Sequence, residues 1–468
     1  MVSCLCWVLF PSKDSHNYFA AVLGKGLIIR FAVSDCFDTL PEHSTGQLPG
    51  KEHGMDSHLS FTRFAGKRLH LGVSGSIAGY KSLDLMRQWK AAGIEVSATL
   101  TASARKFLSP LLFEALGAAP VYDSMFAENT AAGKCDGTFP HLQPGATSDA
   151  FVLVAASATT LARIAHGLGD EILSCQALAF PGPLVLAPAM NPRMWANPAT
   201  QENWETLRRR GHILVEPVSG RVACMDEGKG RLADTREIYL AGLKALSPQD
   251  MRGKKIMLTM GPTREFWDGI RYWSNPSTGT MGAAVAVAAY LRGAEVYAVS
   301  GPTGGADSPW MPAAITRHQV VSAKEMFAAA SDLWSGMDVG VFTAAVADFS
   351  PKPFGKEKFK KDKAQDGFSV EFGPNPDILQ TLAVKKFPHQ RVVAFAAETS
   401  GLQESALRKL QRKNADMIVA NTVNVANSGF GQGVNTGFVA DREGKQELWP
   451  AMSKADMAWR IFDWLLRL

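Results

Sequence analysis

The chain has 468 residues, 46% hydrophobic and 20% charged, with a formal net charge of +5. That length exceeds one hydrophobic core, so two or three domains are expected, and so small a charge leaves no footprint for nucleic acid. Six scattered cysteines (Cys4, Cys6, Cys36, Cys135, Cys175, Cys224), with no CxxC and no zinc spacing, exclude a disulfide scaffold and read as free thiols of a reducing, cytoplasmic compartment; no apolar run reaches the roughly 18–20 residues of a membrane span.

Residues 1–65 mix apolar patches with a Gly/His/Ser-rich stretch from Pro41 to His58, and read as a poorly ordered extension. The opening MVSCLCWVLF is apolar but lacks the cationic start of a signal peptide. From Lys67 strand and helix patterns alternate. Leu69–Val73, Glu95–Leu100, Ala150–Ala155 and Leu184–Ala187 read as strands, the last two as continuous apolar runs buried on both faces. Helical spacing appears over Ile77–Ala92, Ala104–Ala115, Leu161–Leu168 and Thr200–Arg210. A polar linker, 247–253, separates a first domain (66–246) from a second (254–468). There the strands are Ile256–Met260, Glu295–Ser300, Val339–Ala345, Val392–Ala396 and Met417–Ala420, and the helices Gly282–Leu291, Ala323–Trp334 and Leu402–Lys413. This alternation predicts two doubly wound α/β domains, Rossmann-like, the first of flavodoxin type.

Each domain opens on a strand, a glycine/hydroxyl turn and a helix start, where free backbone amides suit phosphate. The openings are KRLHLGVSGSIAGYKS (Lys67–Ser82) and KKIMLTMGPTREFWDGIRYWSNPSTGTMG (Lys254–Gly282), roughly 190 residues apart. Neither has the GxGxxG of a dinucleotide fold, which argues against a nicotinamide enzyme. Alone, the first turn also reads as capping serines. Three further segments accompany it: PHLQPGATSDAFVLVAASATT with His141 eight residues before Asp149, PAMNPRMWANPATQEN (Pro188–Asn203) with Asn191, and the glycine-rich GRVACMDEGKGRLAD (Gly220–Asp234) with Cys224.

Together these motifs resemble the flavin-dependent cysteine decarboxylases, most closely the phosphopantothenoylcysteine decarboxylase family. The resemblance implies FMN, with its phosphate at Ser74, Gly75 and Ser76 and further contacts at Thr101, Ser157, Ala158 and Thr159. It implies His141 as base, Asn191 as the contact of the substrate carboxylate and Cys224 as proton donor on a flap. The residue types suit that chemistry. A β-thiol carboxylate has no electron sink until its thiol is oxidised, and the product must then be reduced and protonated. Two departures touch the flavin contacts. Pro144 and Gly145 interrupt the stretch after His141, and the next strand ends Ala155-Ala156-Ser157.

In the second domain, Asp268, Arg271 and Asn275 lead into a Ser-Thr-Gly turn. AAVADF (Ala344–Phe349), NPDIL (Asn375–Leu379), FAAET (Phe395–Thr399) and ALRKLQRKNADMIVAN (Ala406–Asn421) follow, with Phe430-Gly431 beyond. KPFGKEKFKKDK, Lys352–Lys363, carries six lysines in twelve residues; alone it reads as a solvated loop. Lys409 and Lys413 share one helix face. This set resembles the CTP-using phosphopantothenate–cysteine ligases. The resemblance implies an acyl-cytidylate and a divalent metal, Mg2+, whose ligands stay unknown. It implies nucleotide and substrate contacts at Ala345, Asp348, Asn375, Pro376, Asp377, Ile378 and Phe395, and triphosphate contacts at Lys409 and Lys413. Asn275 would hold the acyl intermediate, and a flap with Lys358, Lys360 and Lys361 would close over it, Lys360 acting catalytically.

The order, decarboxylase then ligase, matches the fused bacterial enzymes of coenzyme A synthesis. The expected partners are 4'-phosphopantothenate, cysteine, CTP and phosphopantothenoylcysteine, with no nucleic acid and no membrane. The expected assembly is a homo-oligomer, from trimer-based decarboxylase shells and ligase dimers. The competing reading is a non-catalytic flavin-binding regulatory homologue.

Overall fold

The computed structural model describes residues 7–9, 18–23, 27–32, 56–125, 139–303, 308–353, 355–360, 369–398, 400–422 and 434–468. Residues 1–54 form a unit of their own. Its described residues make a three-stranded antiparallel sheet of Trp7–Leu9, Tyr18–Leu23 and Leu27–Ala32. Residues 55–468 form one compact unit around two sheets.

The first sheet has six strands, all parallel. In spatial order they are Val121–Tyr122, Glu95–Leu100, Arg68–Val73, Ala150–Ala156, Leu184–Pro188 and Ile213–Leu214. Numbered along the chain this is 3-2-1-4-5-6, the Rossmann order, whereas flavodoxin runs 2-1-3-4-5. Ala150–Ala156 is buried at every position, as a central strand covered by helices on both faces must be.

The second sheet repeats the order 3-2-1-4-5-6 with Thr316–Gln319, Glu295–Ser300, Lys255–Met260, Val339–Phe342, Arg391–Glu398 and Met417–Thr422. An antiparallel pair, Val434–Asp441 and Gln446–Ser453, extends it. The helix Thr280–Leu291 is apolar on all sides and almost wholly buried. Its alanines and glycine let it lie close to the sheet: a Cβ on Gly282 would stand 2.4 Å from the Met260 Cβ.

The expected strand through Ala345 stops at Phe342. Beyond it Thr343 donates its hydroxyl to the Thr259 carbonyl (2.8 Å) and the Ala345 amide donates to Gly261 (2.9 Å). Pairing with the first strand thus continues past the strand end, to a parallel bridge between Pro262 and Ala345. Likewise Ile77–Ala92 divides into a 3-10 turn, Ile77–Tyr80, and the helix Lys81–Ala91.

The segment expected as a poorly ordered extension, 1–65, is packed structure from Asp56 onward. Leu59, Phe61 and Phe64 are core residues. Phe61 and Phe64 meet the Trp459 ring edge-on, at 5.9 and 5.4 Å between centroids. Thr62 donates its amide and its hydroxyl to Asp456, each at 2.9 Å. These partners lie in the last helix, Lys454–Leu465, almost 400 residues away, so no local pattern announces them. Nor do 247–253 hang free. Met251 is buried, and Asp250 forms a two-bond pair with the buried Arg292, which also binds Asp463.

Candidate active sites

Each sheet carries a cleft where its strands end, the usual place in an open parallel sheet. The first, of 490 Å³, lies between the turn after Arg68–Val73, the segment after Leu184–Pro188 and the hairpin Val218–Arg221/Glu227–Arg231.

Ser74 is buried at the base of the turn. Its hydroxyl donates to the Ala155 carbonyl (2.9 Å) and accepts from the Ser157 amide (2.8 Å). Ser74 thereby ties the first strand to the fourth and holds Ala155 at φ +55°, a backbone state that costs an alanine roughly 1–2 kcal/mol. At Gly75 a Cβ would come 2.4 Å from the Ser103 Cβ, so only glycine lets the turn approach that closely. Thr101 is also engaged, its hydroxyl accepting from the Ala104 amide (3.1 Å). Ser157 caps the helix Ala158–His166 through the Thr160 amide (3.3 Å), which leaves Ala158 and Thr159 in the first turn. Three of the expected flavin hydroxyls therefore bind backbone. The half-buried Ser76 lines the cleft.

Asn191 faces the hairpin. It opens the short helix Pro192–Ala196, its side-chain oxygen accepting from the Arg193 amide (2.8 Å). That bond turns its Nδ2 outward, to the Cys224 Sγ at 3.0 Å and an Asp226 carboxylate oxygen at 2.6 Å. Arg193 binds the same oxygen at 2.7 Å. Asn191 and Arg193 hold the Asp226 carboxyl below its usual range. The hairpin is locked down at Gly230, where a Cβ would lie 2.5 Å from the Met190 carbonyl oxygen. Cys224 itself is exposed at the hairpin tip. His141 does not line this cleft. It sits in a turn beside Phe139, with its Nδ1 buried and unpartnered among the described residues.

The second pocket, of 360 Å³, brings Asn275, Ala345, Phe395 and Lys409 together. Asn275 donates to the carbonyls of Ala345 (3.1 Å) and Val346 (3.2 Å). Its own carbonyl accepts from Ser277 (2.8 Å), and Gly279 then takes φ +74° to enter the helix Thr280–Leu291. Lys409 lines both this pocket and a neighbouring charged cleft that holds Asp348, Glu398, Arg412 and Lys413. Burial lowers the pKa of Lys409, and the carboxylates of Glu398 and Asp348 oppose that shift. Lys413 is ion-paired with Asp377, which also caps Ile378–Val384. Ile378 is a core residue, and Pro376 is half-buried at the cap. Asn375 donates from Nδ2 to the Ala347 carbonyl (2.8 Å), its Oδ1 buried and unpartnered among the described residues.

Lys358 and Lys360 are exposed and do not line the pocket; Lys361 and Phe430-Gly431 lie outside the described residues. The segment is anchored, however. The Asp268 carboxylate accepts from the amides of Ile270, Arg271 and Phe359 at 2.8, 2.6 and 3.1 Å. These amides, Arg271 first, bring its pKa down to about 2. Trp267 packs on Phe359, with centroids 5.0 Å apart.

Both halves of the chain are similar to known proteins. A flavoprotein family model matches residues 61–244, and that of the DNA/pantothenate metabolism flavoprotein C-terminal domain matches 251–468. The coenzyme A biosynthesis bifunctional protein CoaBC of Vibrio cholerae is 37% identical over 394 residues, 84% of this chain and 96% of its own. That of Escherichia coli strain K12 is 39% identical over 370 residues, 78% of this chain and 88% of its own. The Bacillus subtilis protein is 36% identical over 394 residues, 84% and 94%. The chain belongs to the coenzyme A biosynthesis bifunctional proteins. It is an enzyme with decarboxylase and ligase activities and a flavoprotein first half; the non-catalytic alternative is not favoured.

Two residues of these sites escape a sequence reading. Asp226 looks like one more charge in a glycine-rich loop, and Lys454, which lines the ligase pocket, looks like an ordinary helix-start lysine. Among the described residues no cluster of three or more His, Cys, Asp or Glu could hold a metal ion, and no helix is long and apolar enough to cross a membrane.

Proposed function

We propose that the second site, in a ligase domain spanning 254–468, joins cysteine to 4'-phosphopantothenate with CTP. The first site, in a domain spanning 66–246, then decarboxylates phosphopantothenoylcysteine to 4'-phosphopantetheine with FMN. The observation that carries the decarboxylase reading is the Asn191–Cys224 contact at 3.0 Å across the cleft. It sets a carboxylate-binding amide beside a thiol acid.

The first cleft suits FMN. Ser76, the Gly75 turn and the helix start at Ala158–Thr159 offer hydroxyl and amide donors for a phosphate. Bound flavin supplies a two-electron acceptor and donor, which no side chain here can be. Asn191 orients the substrate carboxylate by donating from Nδ2. Cys224 delivers a proton from Sγ when the hairpin lies over the substrate. His141 takes the substrate's proton; among the described residues its buried Nδ1 has no partner.

In the ligase pocket Asn275 would hold the acyl-cytidylate, Ala345 and Phe395 the nucleotide, and Lys409 and Lys413 the triphosphate. Lys360, with Lys358 and Lys361, would act from the flap. Magnesium needs only one or two carboxylates besides phosphates, and Asp348 and Glu398 line the adjoining cleft. We assign the enzyme to the cytoplasm as a homo-oligomer, built on decarboxylase trimers and ligase dimers.

The test is incubation with 4'-phosphopantothenate, cysteine, CTP and magnesium, followed by mass analysis. Phosphopantetheine and CMP are expected, with FMN released by acid. A colourless protein that yields neither product overturns the reading.

A further inference from the structure

We propose that Lys454, at the start of the last helix, binds a phosphoryl oxyanion of a ligase substrate. The inference rests on the ligase reading and adds a residue to its binding site.

Lys454 is only 3% exposed, yet it lines the ligase pocket. Among the described residues it has neither a hydrogen-bond partner nor an ion pair. Ordinary lysines keep the ammonium in water, and one withdrawn from it normally has a counter-ion. Two half-buried lysines of this half follow that rule, Lys386 binding Asp416 at 2.8 Å and Lys413 pairing with Asp377. Lys454 does not, so its counter-ion is missing among the described residues.

The surroundings point to what the counter-ion is. Two helices of twelve residues, Thr280–Leu291 and Lys454–Leu465, pack against each other, and both first turns line this pocket through Thr280, Met281, Lys454 and Met457. Their partial positive ends thus meet at one place. The turn Ser277-Thr278-Gly279 adds hydroxyls and amides beside them. Lys409 brings a second ammonium from across the pocket. Among the described residues no carboxylate lines this pocket, in contrast to the adjoining cleft with Asp348 and Glu398. Two ammonium groups, two helix starts and no fixed anion make a receptor for a multiply charged oxyanion. Burial lowers the pKa of Lys454, so an arriving anion would also favour its charged form.

Two ligase substrates carry phosphoryl groups, the nucleotide and 4'-phosphopantothenate. Full-length enzyme and its Lys454→Met and Lys454→Arg variants are melted alone, with CTP and magnesium, and with 4'-phosphopantothenate. KM for each substrate is measured by pyrophosphate release. Removing a buried unpaired charge should leave the free protein as stable as before or more so, while the ligand-induced rise in melting temperature shrinks. Lys454→Met should raise one KM at least tenfold, and Lys454→Arg should restore most of it. A change confined to CTP assigns the nucleotide phosphates; one confined to 4'-phosphopantothenate assigns its phosphate. If Lys454→Met lowers the melting temperature of the free protein and keeps the full ligand shift, Lys454 is structural and the proposal fails. Unchanged KM values for both substrates overturn it too. A wild-type protein that CTP does not stabilise and that releases no pyrophosphate sinks the ligase reading instead.

Discussion

Replacing Phe61 by alanine should weaken ligation before it touches decarboxylation. Phe61 precedes the first strand of the flavoprotein sheet in sequence, but it is 1% exposed and packs edge-on against Phe64 (6.1 Å) and Trp459 (5.9 Å). Trp459 belongs to the helix that begins at Lys454 and lines the ligase pocket. Truncating a buried phenylalanine costs about 3–5 kcal/mol, lost aromatic contacts included. Spread over the docking of this helix, about 3 kcal/mol raises the undocked population roughly a hundredfold. Thr62–Asp456 and Arg63–Asp463 would open with it. The assay follows both activities of Phe61→Ala across a urea titration, beside hydrogen exchange of the last helix. Ligase activity should fail at a lower urea concentration than decarboxylase activity, and the helix amides should exchange faster. Both activities failing together, at the wild-type concentration, would refute this reasoning.

His141→Asn should abolish carbon dioxide release while flavin stays bound and ligation continues; wild-type release would remove His141 from the mechanism. Cys224→Ser should still release carbon dioxide but stall before the final reduction, because a hydroxyl is a far weaker acid than a thiol. A normal phosphopantetheine yield would sink that role. Neutralising Lys358, Lys360 and Lys361 together should slow ligation and let acyl-cytidylate accumulate, with CTP affinity nearly kept by Lys409 and Lys413. Lost CTP binding without intermediate would make the segment itself the triphosphate site. Asp268 is ionised well below the ordinary carboxyl value, so its hold on the Phe359 amide is full above about pH 4 and fades as pH falls through about 2. Hydrogen exchange at Phe359, corrected for intrinsic rate, should show protection down to about pH 3, and Asp268→Asn should lose it at every pH.

The parallel strands were legible because they are buried on both faces, which gives runs such as AFVLVAA that need no partner to be recognised. Edge strands were not. Thr316–Gln319 reads TRHQ and is a strand only because Glu295–Ser300 offers it a ladder. Gln446–Ser453, at the other edge, was hidden in the same way, and its neighbour Val434–Asp441 by the polar residues and glycine that begin it. The packing of Ser57–Phe64 is not legible in its own sequence because its aromatic partners come from the far end of the chain. Motif residues such as Asn191 and Cys224 stood out by spacing, but the sequence could not say that Asp226 would bind the same amide. Lys454 was beyond reach for a similar reason: only burial, a tertiary property, distinguishes it from a surface lysine.

The two sites share one device despite their different chemistry. In each, an asparagine after a strand or hairpin reaches across the cleft: Asn191 to the Cys224–Asp226 hairpin, and Asn275 to the backbone after Val339–Phe342. An amide donates without carrying charge, so it can hold a carboxylate or an acyl oxygen while leaving the titration of its neighbours to cysteine, histidine or lysine. Charge enters each site on a separate element: a hairpin tip in the first, and the two helices bearing Lys409 and Lys454 in the second. Orientation is thereby set by neutral groups near the strand ends, while most of the charge comes from the hairpin and the two helices.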